Sequence, residues 1–175
     1  MDNITSLNKL IEVLKQSDAE NYVSIAKNMN IPSSDFKKFA HWKNESYARN
    51  CIIKTPEFEL ILICWKKGDC TPIHGHNEQK CWVYLVEGEM TELRYKSDGE
   101  CNLTECNKLQ MKAGDLTYMH DSMGFHLLQN CEEKEAMTLH LYMKPVDTCM
   151  VFNDSDKCFD YRILNFHTIN GVKQI

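Results

Sequence analysis

The sequence predicts a mainly β protein, with a small helical N-terminal segment packed against one β-barrel or β-sandwich, of which the jelly roll is one form. Residues 1–45 carry apolar positions at helical spacing, whereas from residue 46 short runs of β-branched and aromatic residues alternate with turn signals. The length of 175 residues fits one domain over 1–175, with the helical segment at 1–45 and the barrel at 46–168.

The helical segment shows three helix patterns. Ser6 is placed to cap a first helix, because apolar residues follow it at positions 7, 10, 11 and 14. Ser17 and Glu20 form a capping-box pattern ahead of a second helix. A third, short helix is expected to begin at Ser33 or Ser34, directly after a proline.

Nine strands are expected in the remainder of the chain. They lie near 47–53, 58–66, 80–86, 90–95, 103–111, 116–119, 125–130, 136–143 and 158–166. Turn signals such as Glu87-Gly88 and Ala113-Gly114-Asp115 separate them. After residue 168 we expect only a surface loop. Short strands at this density favour a sandwich or barrel.

Charge and composition exclude several functional classes. The chain carries 20 basic and 25 acidic residues, a net charge of −5, without a Lys/Arg cluster, so we expect no nucleic-acid partner and no anionic membrane partner. The longest apolar run, Leu60–Trp65, is far too short to span a membrane. The N-terminal residues lack a signal-peptide pattern, and nine cysteines occur without a CxxC pair; both features favour a reduced, cytoplasmic protein.

Two histidines, His74 and His76, are the first sign of a metal site. On a strand, residues two apart face the same side, so both imidazoles could reach one ion. Imidazole binds iron, zinc, copper and nickel. The pair by itself is equally compatible with ordinary surface or core histidines.

The surrounding spacing resembles the first motif of the cupin superfamily. The matching positions are Gly68, His74, His76, Cys81 and Gly88. In that motif the fourth position is normally a glutamate ligand, and here it is Cys81.

The second cupin motif is matched by Gly114, His126 and Asn130, with one extra residue after the glycine and no proline. The resemblance implies a cupin-type β-barrel and a metal site at His74, His76 and His126. His120 is a rival third ligand, although it stands where the motif expects a non-ligating residue. Glu78 is a second rival, although it lies too early for the carboxylate position.

Three neutral histidine ligands would leave the full positive charge on the metal. Such a centre favours an anionic, chelating substrate such as a thiolate, and it leaves coordination positions open. The same ligands can hold zinc, so the ligand set alone does not choose the metal.

Longer stretches resemble the cysteine dioxygenases, a family of thiol dioxygenases. These stretches are SYARN at 46–50, LILICW at 60–65, TPIHGHNEQKC at 71–81, DSMGFHLLQN at 121–130 and TLHLYMKPVDTC at 138–149. The resemblance implies a monomer that uses one Fe(II) per chain to add both atoms of O2 to the thiol of free L-cysteine, giving cysteine sulfinic acid.

The resemblance also assigns roles to single residues near the substrate. His74, His76 and His126 match the iron ligands. Arg49 matches the arginine that binds the substrate carboxylate, which suits a planar guanidinium. Tyr47 matches a second polar residue of the same region.

A further group matches residues beside the iron. Cys81 and Tyr142 match the pair that forms a thioether crosslink, which serves as a protein-derived cofactor. His140 matches a histidine that hydrogen-bonds the tyrosine hydroxyl, and Thr138 stands where a serine usually completes the chain. Cys149 matches a cysteine near the active site, and it is equally compatible with packing.

One departure leaves substrate preference open. Family members from animals usually have Ser-Pro after the crosslinked tyrosine, with a cis bond, whereas this chain has Met143-Lys144, so we expect that loop to be trans or rearranged. Related 3-mercaptopropionate dioxygenases usually lack both Arg49 and Cys81, so the presence of both favours cysteine.

Three other functions stay open at this point. Another small thiol could be the substrate, either 3-mercaptopropionate or cysteamine, although cysteamine would leave Arg49 unused. A non-catalytic metal-binding cupin would have no use for Arg49 or for the Cys81–Tyr142 pair. A zinc hydrolase or isomerase would need a general-base glutamate that is missing from the motif positions.

Overall fold

The computed structural model describes residues 3–100 and 102–174. The helical elements of these residues all precede the first strand, apart from one 3₁₀ turn that connects two strands of the barrel. They are α1 (Leu7–Gln16), α2 (Tyr22–Lys27) and the 3₁₀ helices Ala19–Asn21, Ser33–Phe39 and Asp121–Met123. None of the helices in the described residues is long and apolar enough to cross a membrane.

Two of the three helix-start predictions hold. The hydroxyl of Ser6 accepts a hydrogen bond from the N–H of Lys9 at 3.2 Å and caps α1. The segment expected at Ser33 begins there, although it is a 3₁₀ helix. The capping box at Ser17 and Glu20 is wrong, because Ser17 ends α1 with extended backbone and a 3₁₀ turn precedes α2.

In the part of the chain that the structure describes, twelve strands form the barrel. They are β1 (Ala48–Lys54), β2 (Glu59–Trp65), β3 (Cys81–Glu87), β4 (Glu89–Ser97), β5 (Leu103–Lys112), β6 (Leu116–Met119), β7 (Phe125–Gln129), β8 (Ala136–Tyr142), β9 (Thr148–Asn153), β10 (Cys158–Ile163), β11 (Thr168–Ile169) and β12 (Val172–Lys173). A seven-stranded sheet in the order β12-β11-β1-β2-β8-β3-β6 forms one layer, and the ribbons β5-β4-β7 and β10-β9 form the other.

Three strands lie outside the predicted pattern. β9 is half-buried and short, and its sequence TCMVFN gives a weaker signal than its neighbours. β11 and β12 replace the surface loop expected after residue 168. Each has only two residues, and β11 exists because it pairs in parallel with β1, a tertiary contact that local sequence does not encode.

The large sheet is covered on both faces, and this explains its continuous hydrophobic strands. Every residue of β2 is buried. Its outward residues pack against the helices, where Leu10, Ile25 and Phe36 are fully buried. Its inward residues, such as Ile63 and Trp65, fill the barrel. The helices therefore seal the outer face, and the inner face is left for the site.

The loop after β8 differs from the animal pattern in the way that its sequence indicated. Among the described residues no peptide bond is cis, so Met143-Lys144 is trans. Lys144 has a left-handed φ of 83°, and its N–H donates to the carbonyl of Glu57 at 2.8 Å.

Candidate metal centre

Three buried or half-buried histidines converge inside the barrel. One ring nitrogen from each of His74, His76 and His126 lies within 4.8 Å of the other two. Backbone pairing fixes the positions of two of these histidines. The backbone of His74 exchanges hydrogen bonds with that of His126 on β7, at 2.9 and 3.0 Å. His74 also bridges to Val151 on β9, so it joins the two ribbons of the second layer.

The idea that His74 and His76 share one regular strand is wrong. His74 forms an isolated bridge, and His76 lies in the loop before β3. The carboxylate of Asp121 holds this loop, because it accepts hydrogen bonds from the N–H groups of His76 and Glu78, both at 2.6 Å. Gly75 lets the loop approach closely, since an added Cβ would lie 3.2 Å from that carboxylate, a tight contact.

Hydrogen bonds fix which ring nitrogen of two histidines can bind a metal. Nδ1 of His74 lies 3.0 Å from the carbonyl of Pro72, and Nδ1 of His126 lies 2.8 Å from Oε1 of Glu92. A carbonyl or ionised carboxylate oxygen can only accept, so both Nδ1 atoms carry a proton, and Nε2 is the nitrogen through which either ring, when neutral, can bind a metal.

The histidines suit a divalent transition metal. Burial and the neighbouring His126 lower the pKa of His74 to about 3, and the same causes lower the pKa of His76 well below its usual value. These imidazoles are therefore neutral at physiological pH. Nε2 of His126 lies 3.0 Å from Nε2 of His76, so the two nitrogens are close enough to coordinate the same cation.

The two rival ligands do not join this group. Nδ1 of His120 accepts the N–H of Ser122 at 3.2 Å and caps the 3₁₀ helix Asp121–Met123. Glu78 is exposed, at a left-handed position of the loop with φ 64°. The cupin-like set of three histidines is the one that the fold brings together.

A cavity of about 360 Å³ opens beside the histidines, within the usual size range of small-molecule sites. His74, His76 and Cys149 line it, as do Tyr47 and Arg49. The ring of Tyr47 stacks on Trp65 with centroids 5.0 Å apart. Nε and Nη2 of Arg49 are buried without a hydrogen-bond partner, so this guanidinium can accept an anionic ligand.

Cys81 and Tyr142 are direct partners across β3 and β8, and both point into the barrel. Burial raises the pKa of both groups, and the two side chains hydrogen-bond to each other. The Tyr142 hydroxyl also interacts with Arg49. The predicted pair is therefore assembled beside the histidines, since the rings of His76 and Tyr142 lie 5.6 Å apart.

His140 only partly follows the expected hydrogen-bond chain. Its Nε2 pairs with the hydroxyl of Thr138 at 2.9 Å, and that hydroxyl accepts the indole N–H of Trp65 at 2.8 Å. Its Nδ1 lies 3.9 Å from Sγ of Cys81. In place of the expected hydrogen bond to the Tyr142 hydroxyl, the rings of His140 and Tyr142 stack with centroids 6.1 Å apart. The two residues are neighbours on one face of β8, so their rings lie side by side.

Sequence reasoning missed two carboxylates that support the site, Asp121 and Glu92. Glu92 is fully buried, and its Oε2 receives hydrogen bonds from Thr117 and Arg94. Burial alone would raise the pKa of Glu92, but hydrogen bonds and charge from His126 and Arg94 lower it, so the carboxylate is ionised. An available signal was the spacing of Glu92 and Arg94, two opposite charges on one face of a strand.

Comparison with solved structures shows the fold. TT1209 from Thermus thermophilus superimposes with a TM-score of 0.53 at 18% identity, covering 63% of this chain and 96% of that chain. A mutant oxalate decarboxylase from Bacillus subtilis gives 0.51 at 15% identity, covering 74% of this chain and 31% of that one. The cupin-type β-barrel that the sequence predicted is confirmed.

Comparison with protein families and curated proteins shows the relationship. The family model for cysteine dioxygenase type I matches residues 2–155. Cysteine dioxygenase type 1 from Bos taurus is 27% identical over 144 residues, which cover 80% of this chain and 72% of the relative. The Homo sapiens protein is 26% identical over 178 residues, covering 96% and 89%. By this match over most of its length, the chain belongs to the cysteine dioxygenase type I family.

Proposed function

We propose that this protein is a non-haem iron dioxygenase that adds both atoms of O2 to the thiol of free L-cysteine, giving cysteine sulfinic acid. One observation supports this most directly: the buried, unpartnered Nε and Nη2 of Arg49 line the same cavity as the histidine centre. Buried N–H groups of a guanidinium are costly when they have no acceptor, so the cavity is suited to a ligand that carries a carboxylate.

The protein's own residues bind and orient the substrate. Arg49 receives the carboxylate through its planar fork, and Tyr47 borders the same part of the cavity. The substrate thiol then points towards His74, His76 and His126, which would hold the iron. Fe(II), when bound there, supplies the chemistry with O2, while the protein contributes position and electrostatics.

We also propose that Cys81 and Tyr142 become linked by a thioether. Their direct pairing across β3 and β8 supports this. The S–H bond and one ring C–H bond break, a bond forms between Sγ and that aromatic carbon, and O2 takes up the two protons and two electrons to become hydrogen peroxide. His140 borders the Cys81 sulfur and is a positioning residue for this pair.

In the cell we propose a cytoplasmic, monomeric, single-domain enzyme whose partners are L-cysteine and O2. The net charge of −5 and the lack of a basic cluster in the sequence support the absence of nucleic-acid and membrane partners. Light scattering coupled to size exclusion should give a mass near the 20.4 kDa of one chain.

The test is oxygen uptake by protein loaded anaerobically with Fe(II), with L-cysteine and 3-mercaptopropionate in parallel and the sulfinate identified by mass. We expect uptake with L-cysteine and both oxygen atoms in the product. The variant Arg49→Gln should lower kcat/KM for L-cysteine by at least about tenfold, because charged hydrogen bonds are lost. Lys96→Gln, an exposed residue on β4, is the matched charge control.

Other outcomes separate the alternatives. Uptake with 3-mercaptopropionate alone would mean that the loop at Met143-Lys144 has redirected the cavity. An absence of uptake with either thiol, despite bound iron, would contradict the dioxygenase and leave a metal-binding cupin.

A further inference from the structure

Hydrogen bonds from Nδ1 orient the rings of His74 and His126, but only one of the two acceptors is charged. The proton on Nδ1 of His74 goes to the neutral carbonyl of Pro72, whereas Nδ1 of His126 donates to the carboxylate of Glu92 at 2.8 Å. Glu92 is fully buried and His126 is 1% exposed, so water does not weaken this contact. The histidine centre is therefore asymmetric before any metal binds.

The far side of the Glu92 carboxylate is also occupied. Its Oε2 accepts the Thr117 hydroxyl at 2.8 Å and Nη2 of Arg94 at 3.1 Å. Nη2 of Arg94 donates further to the Thr117 hydroxyl at 2.6 Å and to the Tyr118 carbonyl at 3.0 Å. The carboxylate is thus held in one orientation between a ligand histidine and a guanidinium.

Strand pairing places this group behind the metal centre. Arg94 on β4 is the direct partner of His126 on β7, and Glu92 lies two residues along on the same face of β4. The negative charge of Glu92 and the positive charge of Arg94 cancel within a buried pocket whose side chains are 0% and 13% exposed.

We infer that Glu92 and Arg94 form a charge-balanced support that orients His126 and sets how much electron density this ligand gives to the metal. A carboxylate behind a ligand histidine fixes its tautomer and raises its basicity. Arg94 partly neutralises the charge of the carboxylate. Glu92 therefore increases the electron density that His126 gives to the metal, and Arg94 decreases it. The inference rests on the proposed function in that the site must hold a divalent metal.

Metal affinity is the first measurement. Fe(II) binding is measured anaerobically by competition with a chromophoric chelator, and Zn(II) binding is measured the same way. Glu92→Gln keeps the shape and an acceptor for Nδ1 but removes the charge, so we expect the Kd to rise about 10–100-fold. Glu89→Gln removes a charge from an exposed position on the same strand and should leave the Kd unchanged.

The midpoint potential of the bound iron is the second measurement, and it distinguishes electron donation from simple support of the fold. Glu92→Gln should raise the potential, because His126 gives less electron density to the oxidised ion. Arg94→Gln should lower it, because the carboxylate then acts without its counter-charge. A purely structural role would not produce shifts of opposite sign.

Two results would overturn the inference: an unchanged Kd in Glu92→Gln, or shifts of the same sign in the two variants. If Glu92→Gln fails to fold, seen as a lost thermal transition of the metal-free protein, the potential of Arg94→Gln decides alone. The proposed function fails separately, as wild-type protein that binds Fe(II) but oxidises neither thiol, and the affinities then still test this support.

Discussion

At the scale of single residues, the pairing of Cys81 with Tyr142 has the sharpest chemical consequence. Directly opposed residues of an antiparallel pair have Cβ atoms about 4.5–5.5 Å apart, close enough for one side chain to reach the other. Both side chains are at most 3% exposed, so solvent does not compete for the contact. The proposed thioether would therefore require oxidation but no rearrangement of the fold.

We therefore expect aerobic turnover with Fe(II) and L-cysteine to produce a fraction of protein that is lighter by two hydrogen atoms. Cys81→Ser and Tyr142→Phe should both abolish this fraction in intact-mass spectra. Cys149→Ser changes a different buried thiol, one that lines the cavity, and should retain the lighter fraction. A persisting mass deficit in Cys81→Ser would show that the oxidation lies elsewhere.

The three histidines that converge in the barrel were predictable from the sequence, but the residues that hold them were not. His74, His76 and His126 can be recognised in the sequence because histidines at motif spacing are rare. Asp121 and Glu92 are common residue types in a turn and in a strand. Glu92 gains its role when β4 pairs with β7, and Asp121 gains its role when its turn meets the loop of His76. Contacts made by long-range pairing leave little local trace in the sequence.

At the scale of elements, the turn before β7 sets the position of His126. Gly124 has φ 102°, and an added Cβ would collide with the backbone carbonyl of Tyr95 on β4. Tyr95 pairs with Phe125, so any shift there moves the start of β7 and the histidine that follows. The glycine is thus required by both its conformation and its surroundings.

Gly124→Ala should cost about 3 kcal/mol or more of unfolding free energy, because strain and a backbone collision add together. It should also weaken metal binding through His126. Gly99→Ala is the matched control, since Gly99 has φ 89° and an added Cβ there would meet no atom of the described residues within 4 Å; it should cost only about 1–2 kcal/mol. Equal losses in urea unfolding would contradict a role for the collision.

The loop that carries His76 allows a similar test. Asp121→Asn replaces one carboxylate oxygen with a donor that faces an N–H, so about 1.5–3 kcal/mol of unfolding free energy and part of the metal affinity should be lost. Asp115→Asn changes a carboxylate that accepts the N–H of Lys112 in another turn. It should affect stability alone. Equal metal affinity in both variants would show that Asp121 does not position His76.

At the scale of the whole molecule, burial on both faces of the large sheet was visible in the sequence as continuous apolar runs such as Leu60–Trp65. The two C-terminal strands, β11 and β12, were not visible in the sequence. β11 and β12 have two residues each, and only their contact with β1 makes them strands. Long buried elements carry their own hydrophobic pattern, whereas short peripheral strands depend on partners far away in the chain.

The distribution of charge over the molecule leads to a last prediction. The chain is acidic overall, yet among its described residues the cavity lining contains Lys43, Arg49 and Arg162 and no Asp or Glu. A cleft of one sign attracts small ions of the other sign and raises their association rates, an effect that salt suppresses. The cavity should therefore favour ligands with a net negative charge.

L-cysteine at pH 7 is a zwitterion, whereas 3-mercaptopropionate carries a net negative charge, so only the second ligand should be steered. We expect kcat/KM for 3-mercaptopropionate, or 1/Ki where it competes with L-cysteine, to fall as salt rises, while values for L-cysteine stay nearly flat. Arg162→Gln, at an exposed position of the lining, should lower the value for 3-mercaptopropionate by up to about tenfold at low salt and reduce its salt dependence. Lys108→Gln, exposed on β5, carries the same charge change away from the cavity and should have no such effect. Equal salt dependence for the two thiols would mean that the cations lining the cavity act only after the ligand has bound.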